Sequence, residues 1–272
     1  MNGSDTPKIG FIGAGKMAEG ILKGLLQSAF STPDKIVASD IDTRRLGTLE
    51  KEYGISKGTN TEVARDCDLV IFAVKPQHAD SVFNELKRLD LREKCLLSIM
   101  AGVPTRRIES ALDAEVHVIR VMPNIAATVQ AAASAYCLGQ WATEEDATMA
   151  HSLLETFGTA LRVDEKLLDA VTGLSGSGPA YVFAFMEALA DGGVMMGLPR
   201  DTALTLALQT VHGAARLMME TKEHPAILRE KVTSPGGTTS YGLAEMESYG
   251  FRNAVIRAVA SATERSKELG EK

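Results

Sequence analysis

A glycine-rich turn follows the first apolar run of this chain. Residues 8–12 are short and apolar, and Gly13-Ala-Gly15-Lys-Met-Ala18 follows them and begins a helical pattern. The spacing matches the G-x-G-x-x-G/A fingerprint: one glycine makes the strand-to-helix turn, the next lets a diphosphate approach the backbone, and the last small residue lets helix and strand pack closely. A tight turn without a ligand would use the same glycines, but the position between strand and helix favours a dinucleotide site.

Strand and helix patterns alternate through the first 163 residues, which predicts a parallel sheet flanked by helices. The expected strands are nearly all apolar, as is typical of parallel strands buried on both faces. They cover residues 8–12, 35–39, 69–74, 95–100 and 116–122, with 134–138 and 160–163 as added edge strands. The expected helices between them cover residues 16–30, 43–53, 77–88 and 104–112.

Strand signals stop after about residue 164, and the rest of the chain reads as helices. Helices are expected over residues 179–196, with Ser177 as the cap, and over 199–220, 225–231 and 251–269, with another after Gly236-Gly237. The fold class is therefore α/β, with a Rossmann-type domain over residues 1–163 and an all-helical domain over 164–272. Several of these helices are apolar nearly all round, so we expect a homodimer that packs them against a second copy.

Composition excludes several other classes of protein. A formal net charge of −6 with scattered basic residues argues against nucleic-acid binding. No segment offers about 18 uninterrupted apolar residues, and the polar start of the chain lacks a signal peptide's apolar core. Cys67, Cys95 and Cys137 are odd in number and widely spaced, so the sequence predicts no disulfide framework, no metal site and a cytoplasmic location.

The end of the second expected strand is where an adenosine ribose would lie. Ser39 and Asp40 stand there, and a carboxylate would accept from both ribose hydroxyls and repel a 2′-phosphate, which favours NAD. Ser39, Arg44 and Arg45 could instead bind that phosphate, with Asp40 capping the next turn. The residues alone leave the two nucleotides equally weighted.

Two further glycine runs have the composition of an anion site. Gly236-Gly237 can turn backbone amides toward one point, and Thr238 and Thr239 add hydroxyls at a helix start, which together indicate a carboxylate nest. A capped helix start without a ligand is the alternative. The other run, residues 173–181, carries Ser175 and Ser177, of which Ser177 is the candidate for substrate binding.

With these segments together, the chain resembles the pyrroline-5-carboxylate reductase family. The resemblance is carried by residues 10–17, 73–76, 101–103, 173–181, 197–200 and 234–239, which stand in the family's order. It implies a Rossmann domain, a helical domain that dimerises, often a higher oligomer of dimers, and reduction of 1-pyrroline-5-carboxylate to L-proline by NADPH or NADH. The family usually prefers NADPH, although some members use NADH well, so the resemblance favours NADPH as the cofactor, with NADH as the second candidate.

The resemblance also implies site residues. Those for the cofactor, with the ribose candidates from above, are Ile12, Gly13, Ala14, Gly15, Lys16, Met17, Ser39, Asp40, Asn60, Ala73, Val74, Lys75, Pro76, Met100, Ala101 and Gly102. Those for the substrate are Gly237, Thr238 and Thr239, to which the two glycine runs described above add Gly236 and Ser177. Thr239 is the residue expected to act in catalysis.

The sequence departs from the family's pattern in one loop. Ile125-Ala126 replaces the Thr-Pro that commonly follows Met-Pro-Asn, and Ala132 stands where a glycine is common.

Two alternative functions also fit the sequence. A dehydrogenase of 3-hydroxy acids would share the architecture and use a lysine of the helical domain, for which Lys166 and Lys222 are the candidates. A non-catalytic nucleotide-binding regulator is the third interpretation.

Overall fold

The computed structural model describes residues 7–270, which form two compact units. The first unit contains the residues up to Ser177 together with those from Ser261 onward, and the second is Gly178–Ala260. The sequence predicts a boundary between a cofactor-binding domain and a helical domain at residue 163/164. That functional boundary stays a prediction.

An eight-stranded sheet forms the centre of the first unit. Its strands lie in the order β3-β2-β1-β4-β5-β6-β7-β8, and every pair is parallel except β6 with β7. The strands are β1 Ile9–Ile12, β2 Ile36–Ser39, β3 Ser56–Lys57, β4 Leu69–Phe72, β5 Cys95–Ser98, β6 His117–Met122, β7 Ala132–Leu138 and β8 Gly158–Arg162. The Rossmann-type parallel sheet expected from the sequence is thereby confirmed.

Helices cover both faces of this sheet. They are α1 Lys16–Gln27, α2 Thr43–Tyr53, α3 Asn60–Asp66, α4 Ala79–Leu86, α5 Thr105–Leu112 and α6 Glu144–Glu155. The sequence reading missed β3 and α3. The start of α3 carries a detectable signal, because Thr59 and Glu62 form a capping box in which each side chain satisfies the other's backbone N–H.

The reversed direction of β7 has a local cause. Only a short 3₁₀ segment, Ile125–Val129, separates β6 from β7, and a parallel connection needs a crossover of a dozen or more residues. The 12-residue helix α6 supplies such a crossover from β7 to β8, and that pair is parallel.

Two apolar clusters, one on each face of the sheet, hold the first unit together. On one face Phe72 of β4 and Phe83 of α4 pack edge to face, with ring centroids 5.8 Å apart. On the other face Phe11, Leu25 and Phe157 are buried among α1, α6 and the sheet. Burial of large apolar side chains on both faces is what stabilises a parallel sheet of this kind.

The glycine run before residue 178 is helical throughout. Helix α7, Leu168–Val171, continues into a π-turn over Thr172–Gly176, and Ser177 follows with helical φ and ψ of −84° and −23°. The Ser177 N–H donates to the Thr172 carbonyl at 2.9 Å. The expectation that Ser177 is an N-cap is therefore wrong, because the preceding π-turn already supplies the helical conformation and the partner for its amide.

The second unit consists of helices with little core of their own. They are α8 Gly178–Met195, α9 Arg200–Thr221, α10 Pro225–Lys231, α11 Thr238–Ser248 and the part of α12 Phe251–Gly270 up to residue 260. The fully buried residues of this unit are the alanines Ala190, Ala203 and Ala207 of α8 and α9, whereas many large apolar side chains are exposed. This pattern agrees with the expectation that these helices pack against a second copy.

Across the described residues 7–270, no helix combines the length and the apolar character that crossing a bilayer requires.

The edge-to-face pair of Phe72 and Phe83 generates a stability prediction. Phe83→Ala removes a ring that is 2% exposed and leaves a cavity, so the free energy of unfolding should fall by about 3–5 kcal/mol. Chemical denaturation at one fixed protein concentration measures the change. Ile41→Ala, at a side chain that is 92% exposed, is the control and should stay within about 0.5 kcal/mol of the native protein. Equal effects of the two substitutions would contradict this account.

Candidate functional site

The turn after β1 presses directly against the turn after β4. Gly13 has a φ of +102°, and a Cβ added there would lie 2.7 Å from the Ala73 carbonyl carbon and 2.8 Å from the Val74 nitrogen. The Gly13 N–H donates to the Ser39 carbonyl at 2.8 Å, and the Ala73 N–H donates to the Ile12 carbonyl at 2.8 Å. Only glycine fits this conformation and this spacing.

The start of α1 presents backbone donors that the helix itself does not use. The first N–H groups of a helix have no acceptor in the preceding turn, and Gly15, the N-cap of α1, has no side chain to supply one. A Cβ on Gly15 would meet no atom within 4 Å, so the space in front of these amides is open. The amides of Gly15, Lys16 and Met17 and the positive end of the helix therefore form a cradle that fits a diphosphate.

Asp40 is held in place by two backbone amides. Its Oδ2 accepts from the Ala14 N–H at 2.6 Å, and its Oδ1 accepts from the Asp42 N–H at 2.8 Å. Asp42 in turn caps α2, since its Oδ1 accepts from the N–H groups of Arg44 and Arg45. The two carboxylates thus occupy the backbone donors at the carboxyl end of β2.

Ser39 lies behind this edge instead of on it. Its side chain is buried, and its hydroxyl lies 2.7 Å from the Asn60 Oδ1 and 3.2 Å from the Phe11 carbonyl. The Asn60 Nδ2 then donates to the Glu85 Oε2 at 2.8 Å. Ser39 therefore orients the Asn60 amide, and Asn60 is the member of the pair that reaches the surface.

Arg45 connects α2 to the glycine turn. Its Nε donates to the Ala14 carbonyl at 2.8 Å, and its Nη2 lies 2.6 Å from the Glu19 Oε2. The Tyr53 hydroxyl donates to the other oxygen of Glu19 at 2.9 Å. Burial alone would raise the pKa of Glu19, but the hydrogen bonds from Arg45 and Tyr53 and the charges of Arg45 and Lys23 lower it below its ordinary value.

These segments surround a cleft of about 390 Å³ at the carboxyl ends of β1, β2 and β4, a size typical of small-molecule sites. Of the predicted cofactor residues, seven line it: Gly13, Gly15, Asp40, Asn60, Ala73, Val74 and Lys75. The sequence reading missed the other six: Ile41, Asp42, His78, Ser81, Val82 and Glu85. The last four have the i, i+3, i+4, i+7 spacing of one helix face, which is a signal that could have identified them.

The other predicted cofactor residues do not line this cleft. Ile12 and Ala14 are fully buried, and Met100 packs its side chain into the apolar cluster beneath α4. Ala101 is exposed, and Gly102, with a φ of +73°, lies beside Gly270 at the end of α12. Lys16 and Pro76 lie next in sequence to residues that do line the cleft, and Met17 lies two residues after Gly15.

The glycine turn of the second unit also ends in open helix amides. Gly236 has a φ of +67°, and Gly237 is the N-cap of α11. The sequence predicts that the Gly237 amide faces a ligand. In the structure this N–H instead donates to the Ser234 carbonyl at 3.0 Å and is not available. The backbone amides of Thr238 and Thr239, in the first turn of α11, remain as donors.

Asn124 joins the π-turn to the loop that departs from the family's sequence. This buried side chain donates from Nδ2 to the Ser175 carbonyl at 3.1 Å. Its Oδ1 accepts from the N–H groups of Ala126 and Ala133. The loop containing Ile125-Ala126 is therefore fixed by the preceding asparagine.

Two family models match the chain. The model described as pyrroline-5-carboxylate reductase dimerisation matches residues 165–269, and the model described as NADP oxidoreductase coenzyme F420-dependent matches residues 8–102. The matches fall on the helical region and on the sheet that carries the cleft, respectively.

Curated relatives and solved structures agree with these models over nearly the full length. A pyrroline-5-carboxylate reductase of Methanosarcina acetivorans is 49% identical over 98% of this chain and 100% of its own, and one of Arabidopsis thaliana is 45% identical over 97% and 96%. The structure of a pyrroline-5-carboxylate reductase from Coxiella burnetii matches with a TM-score of 0.92 at 35% identity, covering 98% of this chain and 100% of that one. A Plasmodium falciparum pyrroline carboxylate reductase with NADP bound matches at 0.88 and 31%, covering 98% and 99%.

The two glycines of the first turn should respond differently to the same added methyl group. Gly13→Ala forces a Cβ against the backbone of Ala73, so it should lower the melting temperature and abolish nucleotide binding. Gly15→Ala meets no protein atom and should leave the melting temperature unchanged, while weakening nucleotide binding by about tenfold because the methyl group enters the diphosphate space.

Thermal unfolding and a fluorescence titration with reduced nucleotide measure the two effects. Unchanged nucleotide affinity in Gly15→Ala would show that the diphosphate does not approach this turn.

Proposed function

The chain belongs to the pyrroline-5-carboxylate reductase family, and we infer from this membership that it reduces 1-pyrroline-5-carboxylate to L-proline with a hydride from NADPH or NADH, the last step of proline biosynthesis. The observation that carries this conclusion is the 49% identity to a pyrroline-5-carboxylate reductase over nearly the whole of both chains, together with a cleft that has the geometry of a dinucleotide site.

We assign the cofactor to the cleft of the first unit. The amides of Gly15, Lys16 and Met17 would hold the diphosphate, and Asp40 and Asn60 would face the adenosine. The turn after β4, Ala73–Pro76, would lead toward the nicotinamide, with residues 100–102 beyond it. When bound, the reduced nicotinamide supplies the hydride that the imine carbon of the substrate accepts. Ile12, Ala14 and Ser39 support this site from within, since their side chains are buried.

We assign the substrate carboxylate to the start of α11. The backbone amides of Thr238 and Thr239 and the positive helix end would bind the anion, and Gly236 and Gly237 shape the turn that exposes them. The half-buried Thr239 is the proposed catalytic residue, with its hydroxyl as a hydrogen-bond donor to the substrate. Ser177, at the end of the π-turn, stays a further candidate for substrate binding.

The proposed reaction requires the transfer of one hydride and one proton to the substrate imine. The imine gains a hydride at carbon and a proton at nitrogen, and a substrate that is protonated before the transfer is the better acceptor. Bringing the two reactants to near-contact distance can then supply much of the rate. The chain's own contribution is to bind both anionic groups with fixed backbone donors, which need no reorganisation as the reaction proceeds.

The same family membership supports a proposal for the assembly and the location of the protein. The helical domain, over residues 164–272 in the proposed division, mediates homo-oligomerisation, and its exposed apolar helix faces support a dimer. We propose further assembly of dimers into a higher oligomer and a cytoplasmic location. Three unpaired, buried cysteines are compatible with a reducing compartment.

The two alternative functions receive less support from the structure. Lys166 is exposed and pairs with Asp164, and Lys222 ends α9 in a left-handed conformation. Neither lysine has the burial that would make it a catalytic acid or base. A pure nucleotide sensor would not require the second anion cradle at the start of α11.

The proposed activity can be tested directly. The purified protein should oxidise NADPH or NADH only when 1-pyrroline-5-carboxylate is added, followed as loss of nicotinamide absorbance with L-proline as the product. The same assay with a panel of 3-hydroxy acids and oxidised nucleotide is the control. Turnover of a hydroxy acid without turnover of the imine would assign the chain to the alternative dehydrogenase class.

The role of Thr239 has its own test. Thr239→Val removes the hydroxyl at nearly constant volume, so kcat/KM for 1-pyrroline-5-carboxylate should fall by about 10²-fold, as for loss of one transition-state donor. Thr239→Ser retains the hydroxyl and should keep most of the activity. Nucleotide affinity should be the same in both variants. Native kinetics in Thr239→Val would remove this residue from the catalytic assignment.

A further inference from the structure

The site that distinguishes the two nicotinamide nucleotides can be assigned from the hydrogen bonds around β2. NADPH differs from NADH only by a phosphate on the 2′-hydroxyl of the adenosine ribose. In folds of this type that hydroxyl lies at the carboxyl end of the second strand, where an acid accepts from it or an arginine binds the phosphate. In this chain the position is occupied by Asp40, which lines the cleft.

The carboxylate of Asp40 cannot turn away from this position. Each of its oxygens accepts a backbone N–H, from Ala14 at 2.6 Å and from Asp42 at 2.8 Å. A carboxylate oxygen has two lone pairs, so each oxygen keeps one acceptor site free for a ribose hydroxyl. The same two bonds hold a negative charge where a 2′-phosphate would have to sit.

Several of the donors that a 2′-phosphate could use are already committed. The backbone amides of Arg44 and Arg45, at the start of α2, are capped by Asp42. The Ser39 hydroxyl is buried against Asn60. The Arg45 guanidinium is bound to Glu19 and to the carbonyl of Ala14.

Arg44 is the remaining cation of this loop, and it is not organised for phosphate. Its side chain is 96% exposed, and its Nε lies 4.0 Å from the Asp42 Oδ1. A phosphate bound there would lie beside two carboxylates, those of Asp40 and Asp42, and would have to order a fully solvated side chain.

We propose that Asp40 makes this chain select NADH over NADPH, because its fixed carboxylate accepts hydrogen bonds from the ribose hydroxyls and repels a 2′-phosphate. The inference rests on the proposed function, since it requires the adenosine ribose to lie in this cleft. It leaves NADPH as a usable but weaker donor.

Steady-state kinetics with both nucleotides tests the proposal. The native protein should show a kcat/KM for NADH at least about tenfold above that for NADPH, since like charges placed together are strongly unfavourable. Asp40→Ser keeps a short acceptor for the Ala14 amide and removes the charge, and it should lower this ratio by about tenfold or more. Asp40→Asn, which keeps the shape of the side chain, should move the ratio in the same direction.

Asp34→Ser is the matched control. Asp34 is an exposed aspartate that precedes β2 just as Asp40 follows it, so the substitution changes net charge equally. The four-residue strand β2, about 13 Å long, separates Asp34 in the preceding 3₁₀ turn from Asp40. The nucleotide ratio of Asp34→Ser should equal that of the native protein. Melting temperatures show that each variant is folded.

Binding without turnover separates this inference from the proposed function. Titration with ADP-ribose and with its 2′-phosphorylated form should show the same selectivity in the native protein and the same loss of it in Asp40→Ser. Selective binding without imine reduction would uphold the role of Asp40 and end the proposed activity. A native preference for the 2′-phosphorylated ligands, or a ratio that Asp40→Ser and Asp40→Asn leave unchanged, would overturn the role of Asp40.

Discussion

The close approach of Gly13 to the backbone of Ala73 is the constraint on which the chemistry of the first unit depends. β1 lies between β2 and β4 in the sheet, and the chain leaves β1 toward β2 on one side and reaches β4 on the other. Connections that diverge in this way open a crevice at the carboxyl ends of the strands. Because Gly13 lets the two turns touch, the amides at the start of α1 stand at the mouth of that crevice.

The anion cradles of the two units share a physical basis and differ in their surroundings. Each begins with a glycine in a left-handed or sterically restricted turn and ends in first-turn amides without acceptors, at α1 and at α11. The first cradle is bordered by the carboxylates of Asp40, Asp42 and Glu85, which contact the cleft. The second is bordered by threonine hydroxyls. Under the proposed function, backbone donors would supply the anion binding in both cradles and side chains would supply the selectivity.

Local patterns predicted much of this structure because local chemistry determines it. Helix α2 covers residues 43–53 as expected, since Asp42 caps its start and Gly54 ends it in a left-handed conformation. The expected N-cap at Ser177 is wrong because a π-turn, whose Ser175 carbonyl accepts a hydrogen bond from Asn124, replaces the expected helix start. The cleft face of α4 was missed because its residues are unremarkable singly and meet the glycine turn only in the folded sheet. The hydrogen-bond partner of the Ser39 hydroxyl, Asn60, likewise lies 21 residues away in the sequence.

We propose that main-chain amides at two separate glycine turns bind the two anionic reactants. Backbone amide chemical shifts of isotopically labelled protein, measured while oxidised nucleotide and L-proline are added one after the other, test it most directly. The nucleotide should shift the amides of Gly15, Lys16 and Met17, and L-proline should shift those of Thr238 and Thr239. Saturation with L-proline that leaves Thr238 and Thr239 unmoved while perturbing another segment would contradict the account.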